Sequence, residues 1–223
     1  MRVVGSFEEL IATPLQDGVN AVCWSRALRG AFGEVARLLP TTGDITPIDE
    51  ARLASLVVGA AGREAVDTLL EDLRLLRAAG HEPTHECVRR YPRDHDGLVP
   101  TDVYSFHVDS ATAPTETFLC TYAGASSEGL RDDEARRVVD APATRARLLE
   151  HFGGEDGPAF AAWLHENCYD LHYEPTPGAQ PFSFGVGNLW RIAVQYPGCP
   201  VPACIHRAPE DSPDPGRRLL LIS

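Results

Sequence analysis

The sequence lacks the features that mark membrane and exported proteins. It contains no apolar run near the roughly 18 residues that a membrane-spanning helix requires. The stretch from Met1 to Glu9 turns acidic before any signal-like apolar core develops. We therefore expect a soluble cytoplasmic protein with no membrane partner.

Positive charge is also scarce. Twenty basic residues face 32 acidic ones, which gives a formal net charge of −12 and a pI near 5.0. Binding to a phosphate backbone depends on clustered basic side chains. The composition therefore argues against a nucleic-acid partner and favours a small-molecule substrate, while the oligomeric state stays open.

The six cysteines follow no disulfide rhythm, so we expect reduced thiols. Cys199 and Cys204 are the closest pair, and their spacing lies outside the usual zinc knuckle. A structural zinc site is not expected there.

What the sequence does contain indicates an α+β fold. With 223 residues and 43% hydrophobic content, it has enough material for one domain, residues 1–223, with a proper core. Residues 1–84 carry helical periodicity and predict a mainly helical N-terminal support. Residues 85–223 change to short strands with Pro, Gly and Asp turns, which is typical of a β-sandwich or barrel. A helical insertion over about 131–167 interrupts these strands.

The element predictions follow the same periodicity. Helices are predicted within Arg26 to Leu39 and, as a pair separated near Gly59 or Gly62, within Asp49 to Ala79. Thr41 to Pro47 reads as a loop, and Pro209 to Gly216 as a Pro/Asp-rich loop. Strands are predicted at Glu86 to Tyr91, Val103 to Val108, Thr117 to Tyr122, Phe182 to Gln195, Ala203 to Arg207 and Arg217 to Ile222.

One short motif carries metal chemistry. His107 and Asp109 lie two residues apart on a predicted strand, so their side chains point to the same face. His206, 97 residues beyond Asp109, is the candidate third ligand. Two imidazoles and one carboxylate on one face of an octahedron suit non-haem Fe(II) and leave open positions for a cosubstrate and oxygen. The alternative is a purely structural role, in which both histidines are hydrogen-bonded core residues and Asp109 is a cap or turn residue.

These residues resemble the Fe(II)- and 2-oxoglutarate-dependent oxygenases. That resemblance implies a double-stranded β-helix (jelly-roll or cupin-like) core, with Fe(II) as the metal and 2-oxoglutarate as cosubstrate. It also implies a basic residue about eleven positions after the far histidine, where Arg217 stands. Arg218 follows directly, and strand alternation allows only one of the two to face the site. A guanidinium fork suits bidentate binding of a carboxylate.

A narrower resemblance is to a bacterial family known only as a domain of unknown function. It is carried by Val19 to Trp24, Phe106 to Asp109, Leu119 to Gly124, His206 to Pro209 and Arg218 to Leu221. The chain departs from that family's pattern by lacking a cysteine and proline before His107 and a tryptophan after the central glycine turn. This resemblance implies the same fold and three ligands, and names no substrate.

We therefore expect an Fe(II)- and 2-oxoglutarate-dependent dioxygenase that oxidises a small molecule. The alternatives are a non-haem iron oxygenase without 2-oxoglutarate and a non-catalytic metal-binding β-barrel. Candidate pocket residues are Tyr104, Thr121, Tyr122, Asn188, Trp190, Arg191 and Cys204. His172 and Glu174 repeat the ligand spacing but lack a neighbouring strand pattern, and His81, His85 and His95 are expected to be solvated.

Overall fold

A computed structural model of the protein describes residues 1–94, 96–210 and 217–223. His95 lies outside these residues, as does most of the predicted Pro/Asp-rich loop, residues 211–216. Nowhere in the described ranges does a helix combine the length and apolar character that crossing a bilayer requires.

The described chain contains six α-helices, and the longest shows how the sequence determines them. Its apolar positions Val66, Leu69, Leu73 and Leu76 recur every three or four residues and are all buried, because they share one face. The helices are α1 Phe7–Ala12, α2 Phe32–Leu38, α3 Glu50–Ser55, α4 Ala60–Ala78, α5 Pro142–Phe152 and α6 Pro158–Glu166. The predicted pair within Asp49 to Ala79 is confirmed as α3 and α4.

Thirteen strands form two sheets in the described residues. In chain order they are β1 Arg2–Val4, β2 Ala21–Trp24, β3 Ile45–Ile48, β4 Thr84–Val88, β5 Phe106–His107, β6 Glu116–Ala123, β7 Glu128–Leu130, β8 Ala135–Arg137, β9 His172–Pro175, β10 Phe182–Ser183, β11 Leu189–Ala193, β12 Ile205–Arg207 and β13 Arg218–Ile222. The seven-stranded sheet has the order β1-β2-β11-β6-β13-β4-β3 and is mixed, because β1 pairs parallel with β2. The six-stranded sheet, β10-β7-β12-β5-β9-β8, is antiparallel and curls into a half-barrel.

Side-chain alternation along β6 defines the layers. Phe118, Cys120 and Tyr122 pack into the largest core cluster, which they share with α2 and α4. Leu119 points the other way and packs with Trp190 and Cys204 in a cluster that draws on both sheets. The seven-stranded sheet is therefore covered by helices on one face and by the half-barrel on the other. This confirms the α+β class.

Several element predictions were wrong in detail. Phe182 to Gln195 is two strands, β10 and β11, in different sheets, because Gly185 and Gly187 take positive φ angles of 76° and 87° in the turn between them. The predicted loop Thr41 to Pro47 ends in edge strand β3. The predicted helix Arg26 to Leu39 begins only at Phe32.

The N-terminal segment and the insertion also differ from a purely helical description. Residues 1–84 contribute β1, β2 and β3 to the seven-stranded sheet in addition to α1–α4. The segment 131–167 holds α5 and α6 and also β8, which pairs with β9 at the edge of the half-barrel.

Candidate metal centre

The near pair, His107 and Asp109, lies at the end of β5. Phe106 and Val108, the alternate residues, are each 3% exposed and pack together in a cluster of their own. His107 and Asp109 therefore face the opposite way. The strand ends at His107, but the backbone at Asp109 is held by a hydrogen bond, in which its carbonyl oxygen accepts from Gln195 N at 2.8 Å.

The third residue, His206, arrives from β12. This strand pairs antiparallel with β5, and His206 is the register partner of His107, so both side chains project from the same face of the half-barrel. The two ring centroids are 4.6 Å apart, and His206 Nε2 lies 3.9 Å from Asp109 Oδ1. One ligand atom from each of the three residues lies within 4.8 Å of the other two, so the group can hold a metal ion.

Backbone carbonyls fix the orientation of both imidazoles. His107 Nδ1 lies 2.8 Å from Ser105 O, and His206 Nδ1 lies 3.1 Å from Cys204 O. A carbonyl oxygen can only accept, so each Nδ1 carries the proton and each neutral ring keeps its Nε2 lone pair for a ligand. A second contact of this kind is typical of metal-binding histidines.

Asp109 is oriented by a hydroxyl. Thr117 Oγ1 donates to Asp109 Oδ2 at 2.7 Å, so the other carboxylate oxygen, Oδ1, is the one turned toward His206. Each of the three side chains thus has one polar atom engaged by the protein and one directed at the shared space.

Burial keeps the His107 imidazole neutral and able to bind a metal ion. His206 is 8% exposed. The burial of His107, reinforced by the nearby His206, lowers the pKa of His107 to about 4. A neutral imidazole is the metal-binding form. Two neutral imidazoles and a carboxylate are a donor set that fits Fe(II).

The two arginines at the start of β13 separate to opposite faces. The Arg217 guanidinium donates to the carbonyl oxygens of Ala36, Arg37 and Leu39 at the end of α2, which is the helical side of the sheet. Arg218 alternates to the other side, where it donates to Ala125 O at 3.1 Å and its guanidinium carbon lies 5.5 Å from the centre of the Tyr91 ring.

Four of the predicted pocket residues lie outside the helical core cluster. Trp190 and Cys204 belong to the cluster between the sheets, and alternation directs Thr121 toward the same space. Trp190 Nε1 donates to Phe184 O at 2.7 Å, so this indole is anchored in the core. Tyr104 is 4% exposed, and its hydroxyl accepts from Tyr91 N at 3.0 Å.

The other three have structural contacts away from that space. Tyr122 faces the helices and donates to Asp72 Oδ2 at 2.5 Å. Arg191 also faces them, where it donates to three carbonyl oxygens at the end of α1 and pairs with Glu116. Asn188 binds the backbone of Phe184 and of Arg26. Their polar side chains are explained by a buried carboxylate, a helix end and a turn, which sequence spacing does not distinguish from pocket positions.

The remaining histidines include two corrections. His85, predicted to be solvated, is 0% exposed, with its Nε2 3.0 Å from Leu69 O. His172 was assigned no neighbouring strand pattern, yet it begins β9 and is the register partner of His107, with ring centroids 5.7 Å apart. The nearby Pro175 and Pro177 argue against a strand, but they lie at the end of β9 and beyond it.

Comparison with protein-family models, with curated proteins and with solved structures finds no match to this chain. The described residues establish two parts of the resemblance drawn from the sequence: a curled antiparallel half-barrel and a His-Asp-His group able to hold a metal ion.

Proposed function

We propose that this protein is a non-haem Fe(II) dioxygenase that uses 2-oxoglutarate to oxidise a small molecule. One observation carries the proposal: one ring nitrogen of His107, one of His206 and a carboxylate oxygen of Asp109 lie within 4.8 Å of one another. This is the facial donor set that leaves metal positions open for a cosubstrate and oxygen.

The strand pairing supports a double-stranded β-helix around this site. β4 pairs with β13, β5 with β12, β6 with β11 and β7 with β10. These eight strands are therefore one long antiparallel hairpin, folded so that successive pairs alternate between the two sheets. A rolled hairpin of eight strands is typical of a jelly roll, which supports this proposal, and α5 and α6 lie in the connection between its central strands.

Arg218 is the side chain we assign to the distal carboxylate of 2-oxoglutarate. It follows His206 by 218 − 206 = 12 residues and opens the strand beside β6. Its planar fork matches a carboxylate, whereas Arg217 is committed to the end of α2. The ring of Tyr91 supports the Arg218 guanidinium from one side.

The residues of the centre have two roles, as metal ligands and as groups that orient those ligands. The two Nε2 atoms and Asp109 Oδ1 would hold the ion, while Ser105 O, Cys204 O and Thr117 Oγ1 fix the directions of the three side chains. Phe184, whose ring centroid lies 6.3 Å from that of His206, provides an apolar wall that excludes water. A bound Fe(II) ion supplies the redox chemistry with oxygen that these side chains lack.

Anaerobic addition of Fe(II) and then 2-oxoglutarate tests the proposal by visible absorbance. We expect a charge-transfer band in the wild type, no band in His107→Ala, and an unchanged band in His151→Ala, which alters an exposed helical histidine. Absence of the band, together with metal binding that survives in His107→Ala, would contradict the proposal.

A second candidate keeps the iron and omits 2-oxoglutarate. It is favoured by the contacts of the two arginines, since Arg217 binds the end of α2 and Arg218 already donates to Ala125 O. In that case Arg218 serves a carboxylated substrate instead. Oxygen consumption without succinate formation would select this candidate, and stoichiometric succinate would exclude it.

A further inference from the structure

Three histidines form one row across the half-barrel. His206 on β12 is the register partner of His107 on β5, and His107 is the register partner of His172 on β9. Register partners share a face, so the three imidazoles stand side by side, with successive ring centroids 4.6 and 5.7 Å apart. The metal-binding group contains the first two, and His172 flanks them on the far side of His107.

Ser105 determines which nitrogen of His172 carries the proton. Its Oγ lies 2.6 Å from His172 Nδ1 and 2.8 Å from Asp102 O. A hydroxyl has one proton, and the carbonyl can only accept, so the arrangement that satisfies all three atoms is His172 Nδ1–H to Ser105 Oγ–H to Asp102 O. Neutral His172 therefore presents a bare Nε2, as His107 and His206 do.

That Nε2 atom has no hydrogen-bond partner among residues 1–94, 96–210 and 217–223. The His172 side chain is nevertheless withdrawn from solvent, because the residue is only 5% exposed. Its Nε2 atom still keeps solvent access, so an acceptor that Ser105 orients and that no described residue binds is open to a donor from a bound molecule.

We propose that His172 positions the molecule bound at the metal, by accepting a hydrogen bond at Nε2 from an O–H or N–H of that molecule. The inference rests on the proposed metal centre. Neighbouring strands are about 4.8 Å apart, so His172 stands one strand beyond His107. A molecule bound to the metal through oxygen, with a metal–oxygen bond of about 2.1 Å and a hydrogen bond of about 2.8 Å to Nε2, spans a distance similar to this strand spacing.

The inference narrows the substrate class. An acceptor in this position selects a small molecule with a hydroxyl or amine hydrogen close to its metal-bound or reacting end. A wholly apolar substrate offers no donor to Nε2 and would therefore bind less well than one that carries such a hydrogen.

Binding of two matched chelators to the Co(II)-loaded protein tests this assignment without turnover. Acetohydroxamate keeps an N–H when it binds a metal, and N-methylacetohydroxamate has none. We expect His172→Leu to weaken acetohydroxamate about tenfold, the scale of one hydrogen bond in a buried site, and to leave the N-methyl compound within about twofold. His172→Gln, which restores an acceptor, should recover part of the loss.

Ser105→Ala provides a milder variant in case His172→Leu does not fold. It removes the hydroxyl that fixes the His172 tautomer and keeps the backbone carbonyl that orients His107. Acetohydroxamate should weaken by about three- to fivefold, with Co(II) affinity unchanged. His151→Leu serves as the exposed control and should alter neither chelator.

The outcomes separate this inference from the function on which it rests. Co(II) binding that is intact and acetohydroxamate affinities that are equal in wild type, His172→Leu and Ser105→Ala would overturn the role of His172 alone. Failure of the wild type to bind Co(II), or binding that persists in His107→Ala, would overturn both.

Discussion

Two polar clusters, one buried and one half-buried, differ in how completely they are paired. On the helical side of the seven-stranded sheet, Asp72 is bound through both carboxylate oxygens, to Arg26 at 2.7 and 2.5 Å and to Tyr122 at 2.5 Å. In the metal centre, each imidazole of His107 and His206 has only its Nδ1 engaged. The polar groups of the first cluster bind one another, whereas each imidazole of the second has one nitrogen bound and the other without a hydrogen bond from the described residues.

This difference separates a structural network from a binding site. A buried charge pair with both carboxylate oxygens engaged inside the chain stabilises the packing of α4 against β6. A half-buried group whose ligand atoms are oriented but not bound within the chain keeps those atoms available to a ligand. The comparison predicts that removing residues from the first cluster lowers stability, whereas removing them from the second lowers metal affinity.

The largest expected effect is from Asp72→Ala. This change leaves the Arg26 charge, whose side chain is 10% exposed, without its partner, and should lower the free energy of unfolding by about 3–5 kcal/mol. Urea denaturation measures it, with Asp67→Ala, an exposed change on the same helix, as the control at about 0.5 kcal/mol or less. A small loss for Asp72→Ala would remove the distinction between the clusters.

The metal-free protein should lose stability in mild acid. The pKa of His107 is lowered from 6.5 to about 4, mainly by burial, so between these values the unfolded chain binds more protons than the folded one. Stability should therefore fall as the pH drops from 6.5 and level off below 4, by up to about 3 kcal/mol for this residue. Urea unfolding across this range checks the slope, which His107→Gln should flatten. An equal slope in the variant would contradict the assignment.

A smaller effect is expected from Thr117→Val. The change removes the hydroxyl that binds Asp109 Oδ2 at 2.7 Å and leaves the three metal ligands in place. Loss of such an orienting contact should weaken metal binding by about 10–100-fold with little change in stability. Metal titration measures the affinity, and Thr115→Val, at an exposed position, should match the wild type.

The smallest effects should distinguish the two adjacent arginines. Arg217→Ala removes donors from the last carbonyl groups around α2, so we expect a loss of about 0.5–1.5 kcal/mol and unchanged 2-oxoglutarate binding. Arg218→Ala should show the reverse, with weaker 2-oxoglutarate binding at nearly wild-type stability. Equal behaviour of the two variants would contradict their placement on opposite faces.

The sequence predicts the three residues of the candidate metal group because their signals are local. His107 and Asp109 follow the two-residue alternation of an extended chain, and His206 lies in an apolar stretch that becomes β12. Their convergence depends on the pairing of β12 with β5, two strands far apart in the sequence, in the register that places His206 opposite His107.

The pocket positions were harder to predict because polar residues on strands have two faces to occupy. Tyr122 and Arg191 look like pocket residues by type, yet partners from α4 and the end of α1 hold them on the helical side. His172 shows the opposite case. The position that we propose for it beside His107 follows from the register of β9 with β5, for which residues 131–167 give no local signal.

The metal content of protein purified without a metal-binding tag or added metal tests the central claim most directly. We predict about one equivalent of divalent metal, iron when purified anaerobically, in the wild type. His107→Ala, Asp109→Ala and His206→Ala should each lose it while remaining folded, and His151→Ala should retain it. Metal-free wild-type protein that also fails to take up Fe(II), or metal retained in all three variants, would contradict the claim.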